Sequence, residues 1–246
     1  MEAILFVGHG GRSPVGNQQF IDYIEAFMSE VDVPIKEFAF HERVEPNISQ
    51  AIAACVEKGA TDITVVPVLL LPGLHANIEI PKELTAAKET YQNLTIHYSN
   101  PIGINEKVIE LLEKRLMESG FKKSNKEAVL LLSHGSPDPV AATELQKASL
   151  LLQEKINTTV MEGYLTSSPL YADQIKRLLQ DYQQVYIIPY LFFMGGFKNH
   201  IEESLSHLMI DTPKKSLTLC ECIGYVDELK PILKERVHNK DRVLRH

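Results

Sequence analysis

The sequence predicts an α/β protein of two tandem similar domains, each a small parallel sheet flanked by helices, with the active site in the cleft between them. Short apolar segments alternate with amphipathic ones, which is typical of strands that alternate with helices. The order of these segments then repeats, and 246 residues are enough for two domains of about 120 residues each. We therefore predict an N-terminal domain over residues 1–120 and a duplicated C-terminal domain over residues 126–246.

Four apolar segments in the first domain have the length and composition of buried strands. Their nearly continuous apolar character is typical of a parallel sheet that helices cover on both faces. Between them apolar residues recur every three or four positions, as at Phe20, Ile24 and Phe27, which indicates helices. The predicted strands are residues 3–7, 35–40, 63–71 and 94–98, and the polar segment 119–127 is the predicted linker.

An internal duplication explains why the same landmarks occur in the same order in both halves. The segment ILFVGHGGRSP is similar to VLLLSHGSPDP, and VVPVLLLPG is similar to IIPYLFFMG. From the first matched pair to the last, the separation falls only from 125 to 121 residues, so chance matching is a poor explanation. The matched pairs are His9 with His134, Pro46 with Pro169, Pro67 with Pro189, and Gly103 with Gly224.

Composition and charge exclude several classes of partner. The net charge is −7 and the basic residues form no stripe, so nucleic acid is not an expected partner. No apolar segment approaches the roughly 18 residues of a membrane span, and the first residues do not resemble a signal peptide. The three cysteines, Cys55, Cys220 and Cys222, form neither a disulfide framework nor a CxxC pair. We therefore expect a cytoplasmic protein with reduced thiols and no membrane partner.

The turn after the first strand is the first candidate for chemistry. It reads GHGGRSP over residues 8–14, where the glycines permit a sharp turn and Ser13 and Pro14 suit the start of a helix. Its spacing differs from the dinucleotide motif G-x-G-x-x-G, and the chain has no GK[ST] phosphate loop. His9 should lie at the carboxyl edge of the sheet, where ligands bind in open parallel sheets. The alternative is a turn residue that bonds the backbone.

His75 and Glu42 follow the third and second strands, so both should reach the same edge as His9. Two imidazoles and a carboxylate suit a first-row metal with open coordination positions. The alternative for Glu42 and for Glu45 is an acid that favours the start of the next helix. His41 adjoins Glu42 and is predicted to point the other way, in a structural role.

The remaining histidines have weaker claims to chemistry. His97 lies within the fourth strand and is predicted to be a packed side chain, and His200 and His207 are predicted to be solvated on a helix. His134 is the duplicate of His9, but Phe197 and Thr166 stand where partners equivalent to His75 and Glu42 would be.

These motifs resemble the class II chelatases of the sirohydrochlorin ferrochelatase and cobaltochelatase group, over essentially the whole chain. The shared features are the G-H-G turn, the F-x-E sequence of Phe40 and Glu42 before a helix, and the L-P-G-x-H segment ending in I-P at residues 71–81. Gly11 replaces the usual serine of the family, and Glu79 replaces its usual aspartate.

The resemblance implies that His9 and His75 are the catalytic proton acceptors and bind the metal, with Glu42 as a further metal ligand. It implies that the N-terminal domain carries these residues and that the C-terminal domain completes the tetrapyrrole site. Because the macrocycle carries many carboxylates, an arginine beside His9 is an expected contact. The expected substrate-binding residues are Arg12, Glu45, Leu70, Leu71, Pro72, Gly73, Leu74 and His134.

The implied reaction is insertion of Fe²⁺ into sirohydrochlorin to give siroheme without ATP. The divalent metal (Fe²⁺, with Co²⁺ or Ni²⁺ as alternatives) is a substrate, no prosthetic group is expected, and the duplication should let a monomer supply the whole site. Two alternatives stay open: a cobaltochelatase of anaerobic cobalamin synthesis, and a non-catalytic metal or tetrapyrrole carrier. A histidine phosphatase is disfavoured because Gly8 stands where that class has an arginine.

Overall fold

The computed structural model describes residues 1–210 and 212–240, together with the backbone of 242–243. Nine strands and eight α-helices are described. The strands are β1 Glu2–Gly8, β2 Ile35–Phe40, β3 Asp62–Pro67, β4 Thr95–Tyr98, β5 Glu127–Ser133, β6 Val160–Tyr164, β7 Gln184–Pro189, β8 Ser216–Leu219 and β9 Arg242–Val243. The helices are α1 Pro14–Met28, α2 Ile48–Glu57, α3 Ile80–Thr90, α4 Glu106–Glu118, α5 Pro139–Ile156, α6 Tyr171–Asp181, α7 Phe197–Ile210 and α8 Lys230–His238.

Two sheets with the same strand order confirm the predicted duplicated α/β fold. One sheet has the order β2-β1-β3-β4, and the other has the equivalent order β6-β5-β7-β8, with every one of these pairs parallel. The first sheet also carries β9, which pairs antiparallel with β4 and falls in the basic C-terminal segment. The third strand ends at Pro67, earlier than predicted, and the apolar residues that follow it lie outside the sheet.

The chain divides into two compact units whose boundaries differ from those of the sequence repeats. Unit 1 contains Met1–Gly103 and the chain from Tyr225 onward, and unit 2 contains Ile104–Gly224. The last helix of each repeat, α4 or α8, therefore belongs to the unit of the other repeat. The predicted boundary at residues 120–126 follows the repeat, whereas the compact units follow the packing of these helices.

Matching arginines fix the two exchanged helices. In unit 2, Arg115 of α4 donates to the carbonyl of Cys222 (2.8 Å) and of Ile223 (3.0 Å). In unit 1, Arg236 of α8 donates to the carbonyl of Pro101 (3.1 Å). Each helix also buries an apolar face within its unit, and fully burying one large aliphatic side chain contributes about 1.5–3 kcal/mol. Each unit therefore contains the last helix of the other repeat, and apolar packing together with charged hydrogen bonds stabilises both helices there.

The first sheet positions the candidate site through its carboxyl edge. All of β1 after Glu2 is buried, because α-helices cover the sheet. Since its first four strands are parallel, the loops that follow β1, β2 and β3 emerge at one edge.

Within the described residues, no helix is both long and apolar enough to cross a membrane.

Candidate active site

The loop between β1 and α1 is tightly defined by hydrogen bonds. Ser13 caps α1 by accepting the N–H of Gly16 (3.2 Å), and Pro14 occupies the first turn, as predicted. Gly10 has φ +79°, and a Cβ there would lie 2.1 Å from the carbonyl oxygen of Glu42. Glu42 in turn donates its N–H to the carbonyl of His9 (2.8 Å). Only glycine fits where these two loops meet.

His9 and His75 come together at this edge, as the sequence predicted. Their rings pack edge to face with centroids 4.7 Å apart and an interplanar angle of 87°. His9 Nδ1 lies 2.6 Å from the carbonyl oxygen of Gly10, which can only accept, so Nδ1 carries the proton and Nε2 keeps a lone pair. Surrounding protein atoms that displace water, and then the neighbouring His75, lower the pKa of His9, although the Gly10 carbonyl opposes this. His9 is therefore a neutral base at pH 7.

His75 lies in a π-helical turn, His75–Glu79, that leads into α3. Its Nδ1 is hydrogen-bonded to the carboxylate of Glu79, one turn further along. The buried hydroxyl of Tyr98 donates to the carbonyl of Ala76 (2.7 Å) and holds the turn against β4. A carboxylate on Nδ1 fixes the tautomer and leaves Nε2 of His75 for a substrate or a metal.

The prediction that His41 points away from the site is wrong. Its side chain is only 7% exposed, its Nε2 lies 3.0 Å from Glu79 Oε2, and its Nδ1 lies 2.8 Å from Glu83 Oε1. The His41 ring centroid is 5.0 Å from that of His75. The error arose because strand alternation was extended past Phe40, where β2 ends. The spacing of His75, Glu79 and Glu83, four residues apart on one helical face, is the signal that could have identified these partners.

Glu79 and Glu42 have different positions relative to the imidazoles: Glu79 bonds two of them, whereas Glu42 bonds neither His41 nor His75 in the described chain. In the described part of the chain, His41, His75 and Glu79 have ligand atoms that all lie within 4.8 Å of one another. Glu42 is outside that group: its side chain is 35% exposed and lies 3.5 Å from Arg43, while its charge favours protonation of His9. Hydrogen bonds to His41 and His75 lower the pKa of Glu79, which is therefore ionised at neutral pH.

The expected macrocycle contacts differ in accessibility. Arg12 is exposed and has no ion pair among the described residues. Glu45 is exposed and accepts a hydrogen bond from Gln50 (3.2 Å). Leu70 is 8% exposed, whereas residues 71–74 are partly exposed and precede His75. The loop can therefore offer a ligand its later residues more readily than Leu70.

Exposed apolar side chains flank the imidazoles along the chain. Val15, in the first turn of α1, is 68% exposed, and Ile78, in the π-helical turn, is 57% exposed. In unit 2, Val140 holds the position equivalent to Val15 and Phe197 the position equivalent to His75, and these side chains are 44% and 40% exposed. Apolar side chains of this size at a sheet edge suit contact with a flat, largely apolar ring.

Unit 2 repeats the geometry with fewer ligands. His134 and Phe197 pack edge to face, with ring centroids 5.4 Å apart and an interplanar angle of 74°. His134 Nδ1 lies 3.1 Å from the carbonyl oxygen of Gly135. The hydroxyl of Thr166 donates to the carbonyl of His134 (2.8 Å). His97, in unit 1, is buried as predicted and bonds Asp62 (3.1 Å).

The three cysteines are free thiols with little access to solvent. Cys55 and Cys220 are buried and Cys222 is partly buried. Burial raises the pKa of Cys55 to about 12 and the pKa of Cys220 to about 11. They are therefore protonated at neutral pH and are poor metal ligands.

Both the sequence and the fold of this chain match those of known proteins. The CbiX family model matches residues 3–119 and again residues 128–240. The sirohydrochlorin ferrochelatase of Priestia megaterium is 35% identical over 240 residues, covering 96% of this chain and 90% of the relative. The sirohydrochlorin cobaltochelatase of the same organism is 36% identical over 243 residues, covering 96% and 79%. The solved structure of SirB from Bacillus subtilis with Fe³⁺ matches with a TM-score of 0.86 at 34% identity, covering 96% of this chain and 94% of that one.

Proposed function

The chain belongs to the CbiX family and is a metal chelatase, and we propose that it inserts Fe²⁺ into sirohydrochlorin to give siroheme without ATP. The observation that carries this proposal is the pair of perpendicular imidazoles, His9 and His75, at the carboxyl edge of the first sheet. In both rings Nδ1 is engaged by a protein oxygen, which leaves both Nε2 atoms for the substrates.

Two imidazoles with Nε2 directed away from the protein meet the needs of metal insertion. The reaction removes two protons from pyrrole nitrogens and strips water from the metal. Each Nε2 can accept a proton or bind the metal transiently, and Glu42 can supply an oxygen ligand from the adjoining loop. Since these are at most three protein ligands, the metal keeps open positions through which it can pass to the ring.

Charge and shape at the edge suit a carboxylated tetrapyrrole. The chain has a net charge of −7, so its substrate's carboxylates need local cations. Arg12 is exposed, lies three residues from His9 and has no ion pair in the described chain. Val15, Ile78 and Phe197 offer exposed apolar surface to the macrocycle. Glu45, residues 71–74 and His134 are proposed as further contacts.

The choice of iron rests on sequence composition. Imidazole and carboxylate bind Co²⁺ and Ni²⁺ at least as tightly as Fe²⁺, so the donor set alone does not select a metal. The chain has three cysteines and lacks the histidine-rich stretch and cysteine cluster that often occur in cobalt-type members. We therefore propose iron, with cobalt as the competing substrate.

An anaerobic assay tests the reaction. Sirohydrochlorin is mixed with a catalytic amount of the protein and either Fe²⁺ or Co²⁺, and the absorption spectrum is followed without nucleotide. We expect many turnovers per chain and a higher kcat/KM for Fe²⁺. A single stoichiometric change would indicate a carrier, a requirement for ATP would contradict the proposal, and a higher kcat/KM for Co²⁺ would assign the cobalt reaction.

A further inference from the structure

His41 lies deeper than the imidazole pair and is held entirely by carboxylates. Its two ring nitrogens lie 3.0 Å from Glu79 Oε2 and 2.8 Å from Glu83 Oε1. The other partner of Glu79 Oε2 is Nδ1 of His75. Glu79 therefore links the two imidazoles, and Glu83 bonds only the far nitrogen of His41. We call His41, His75 and Glu79 the capture cluster.

The second repeat shows that the fold does not need these polar groups. Leu165 corresponds to His41, because their N–H groups donate to Ser133 (3.0 Å) and Gly8 (2.9 Å), the last residues of β5 and β1. With the 122-residue offset that relates Pro67 to Pro189, the counterparts of His75, Glu79 and Glu83 in unit 2 are all apolar. Those counterparts are Phe197, Ile201 and Leu205.

In unit 2 these apolar residues form part of an ordinary core. Ile201 and Leu205 are 0% and 7% exposed in the apolar cluster of that unit, and Leu165 packs against it. The same place in the same fold is thus filled by hydrocarbon in one copy and by two imidazoles and two carboxylates in the other. Burying polar groups costs free energy unless they are paired, and hydrocarbon fills this place in unit 2 without that cost. Packing alone therefore does not account for the polar groups of unit 1.

The geometry of the cluster suits a divalent first-row metal. Its ligand atoms lie within 4.8 Å of one another, and ligands about 2.0–2.2 Å from a tetrahedral metal lie roughly 3.3–3.6 Å apart. The 3.0 Å between His41 Nε2 and Glu79 Oε2 needs to open by only a few tenths of an ångström. Glu83 then fixes the ring of His41 from behind, as outer carboxylates do for histidine ligands. His75 and Glu79 are 35% and 38% exposed, so a hydrated ion can reach them.

We propose that the capture cluster is a metal-binding site that takes the incoming divalent ion before it reaches His9. On binding, Nδ1 of His75 gives up its proton and Nε2 takes one from water, so this ring stays neutral, while Nε2 of His41 gives its proton to bulk water and Nδ1 keeps the proton directed at Glu83. His75 belongs to both places, because its Nδ1 lies in the cluster and its ring centroid is 4.7 Å from that of His9. One metal per chain is therefore bound at a time, one imidazole away from the macrocycle. The order of events rests on the proposed function, whereas the binding site does not.

Co²⁺ binding by the protein alone, without macrocycle, tests the site by equilibrium dialysis and by the visible absorption of the bound ion. His41→Leu installs the residue that unit 2 carries at Leu165, and Glu79→Gln is a second, nearly isosteric change at a partly exposed position. We expect each to weaken Co²⁺ binding at least tenfold, in line with the loss of a ligand or its support. His9→Ala should keep Co²⁺ affinity within about threefold while lowering kcat. His200→Leu, which removes an exposed imidazole from α7, is the matched control.

The outcomes separate this site from the proposed function. Thermal unfolding of each variant, with and without Co²⁺, establishes that it is folded and whether the ion still stabilises it. Wild-type affinity in both His41→Leu and Glu79→Gln, with binding lost in His9→Ala, would overturn the capture cluster and leave the chelatase proposal standing. Loss of Co²⁺ binding in the first two variants of a protein that inserts no metal would support the site and refute the chelatase proposal.

Discussion

The carboxyl edges of the two sheets share a backbone arrangement and differ in their side chains. In unit 1 the N–H of Glu42 bonds the carbonyl of His9 (2.8 Å), and in unit 2 the N–H of Thr166 bonds the carbonyl of His134 (3.0 Å). A side chain caps the following helix in both, Ser13 for α1 and Asp138 for α5. In both, an imidazole packs edge to face against a second ring.

The interactions that hold the loops are therefore distinct from the side chains proposed to perform the chemistry. The caps, the glycine turn and the loop-to-loop hydrogen bonds occur in both units, so they are requirements of the fold. The second imidazole and the carboxylate ligand are specific to unit 1, because Phe197 and Thr166 occupy the positions in the second repeat that correspond to His75 and Glu42. We therefore expect substitutions of the site side chains at equivalent positions to have unequal effects on activity.

The largest difference is expected at the imidazole pair. His9→Ala or His75→Ala removes a base and metal ligand, so kcat for metal insertion should fall by at least the ~10²-fold typical of losing a general base. Circular dichroism should show a retained fold, because both rings lie at the edge of the sheet. Steady-state kinetics with saturating sirohydrochlorin measure the effect, and a kcat within a few-fold of wild type would remove either histidine from the proposed chemistry.

Arg12 provides the next contrast, because its position in unit 2 is occupied by Pro137. Arg12→Ala should chiefly raise the KM for the macrocycle. A charged hydrogen bond is worth about 1.5–3 kcal/mol, which corresponds to roughly tenfold to hundredfold. Arg12→Lys, which keeps the charge but not the planar fork, should recover part of the loss. An unchanged KM in Arg12→Ala would place this side chain outside the substrate site.

Three glycines at positive φ allow a graded test of folding: Gly10 and Gly135 in the two equivalent turns, and Gly120 after α4. Alanine at positive φ costs about 1–2 kcal/mol by itself. Gly120→Ala should show this cost alone, since φ is +88° and no atom lies within 4 Å of the added Cβ. Gly135→Ala should cost somewhat more, because the nearest atom, at 2.5 Å, is the movable hydroxyl of Ser167. Gly10→Ala should cost most, because its Cβ would meet the backbone oxygen of Glu42 at 2.1 Å. Urea unfolding of the three variants gives the order, and a Gly10 variant as stable as Gly120→Ala would contradict this account.

Local sequence patterns predicted the features that depend on local interactions. Strand positions, the duplication, the Ser13 cap and the placement of His9 beside His75 follow from periodicity and from the rule that parallel strands end at one edge. His41 was misassigned because its partners come from the start of α3, about one βα unit further along the chain. The exchange of α4 and α8 was missed for a related reason. An amphipathic pattern shows that one helix face is buried, but it does not show which sheet buries it.

The smallest effect is expected at His134, and it is the sharpest test of the asymmetry. Its ring contacts Phe197, and one aromatic contact with a bound macrocycle would contribute about 0.5–1.5 kcal/mol to binding, which corresponds to at most about tenfold in KM. If the pair only packs against the macrocycle, His134→Ala should raise the KM for sirohydrochlorin within that range. Phe197→Ala should behave in the same way, because it removes the same edge-to-face contact. His134→Phe, which keeps an aromatic ring and removes both nitrogens, should retain most of the wild-type KM. A kcat loss in His134→Phe as large as that of His9→Ala would show that the imidazole nitrogen acts in the reaction, and the two edges would then have to share the chemistry.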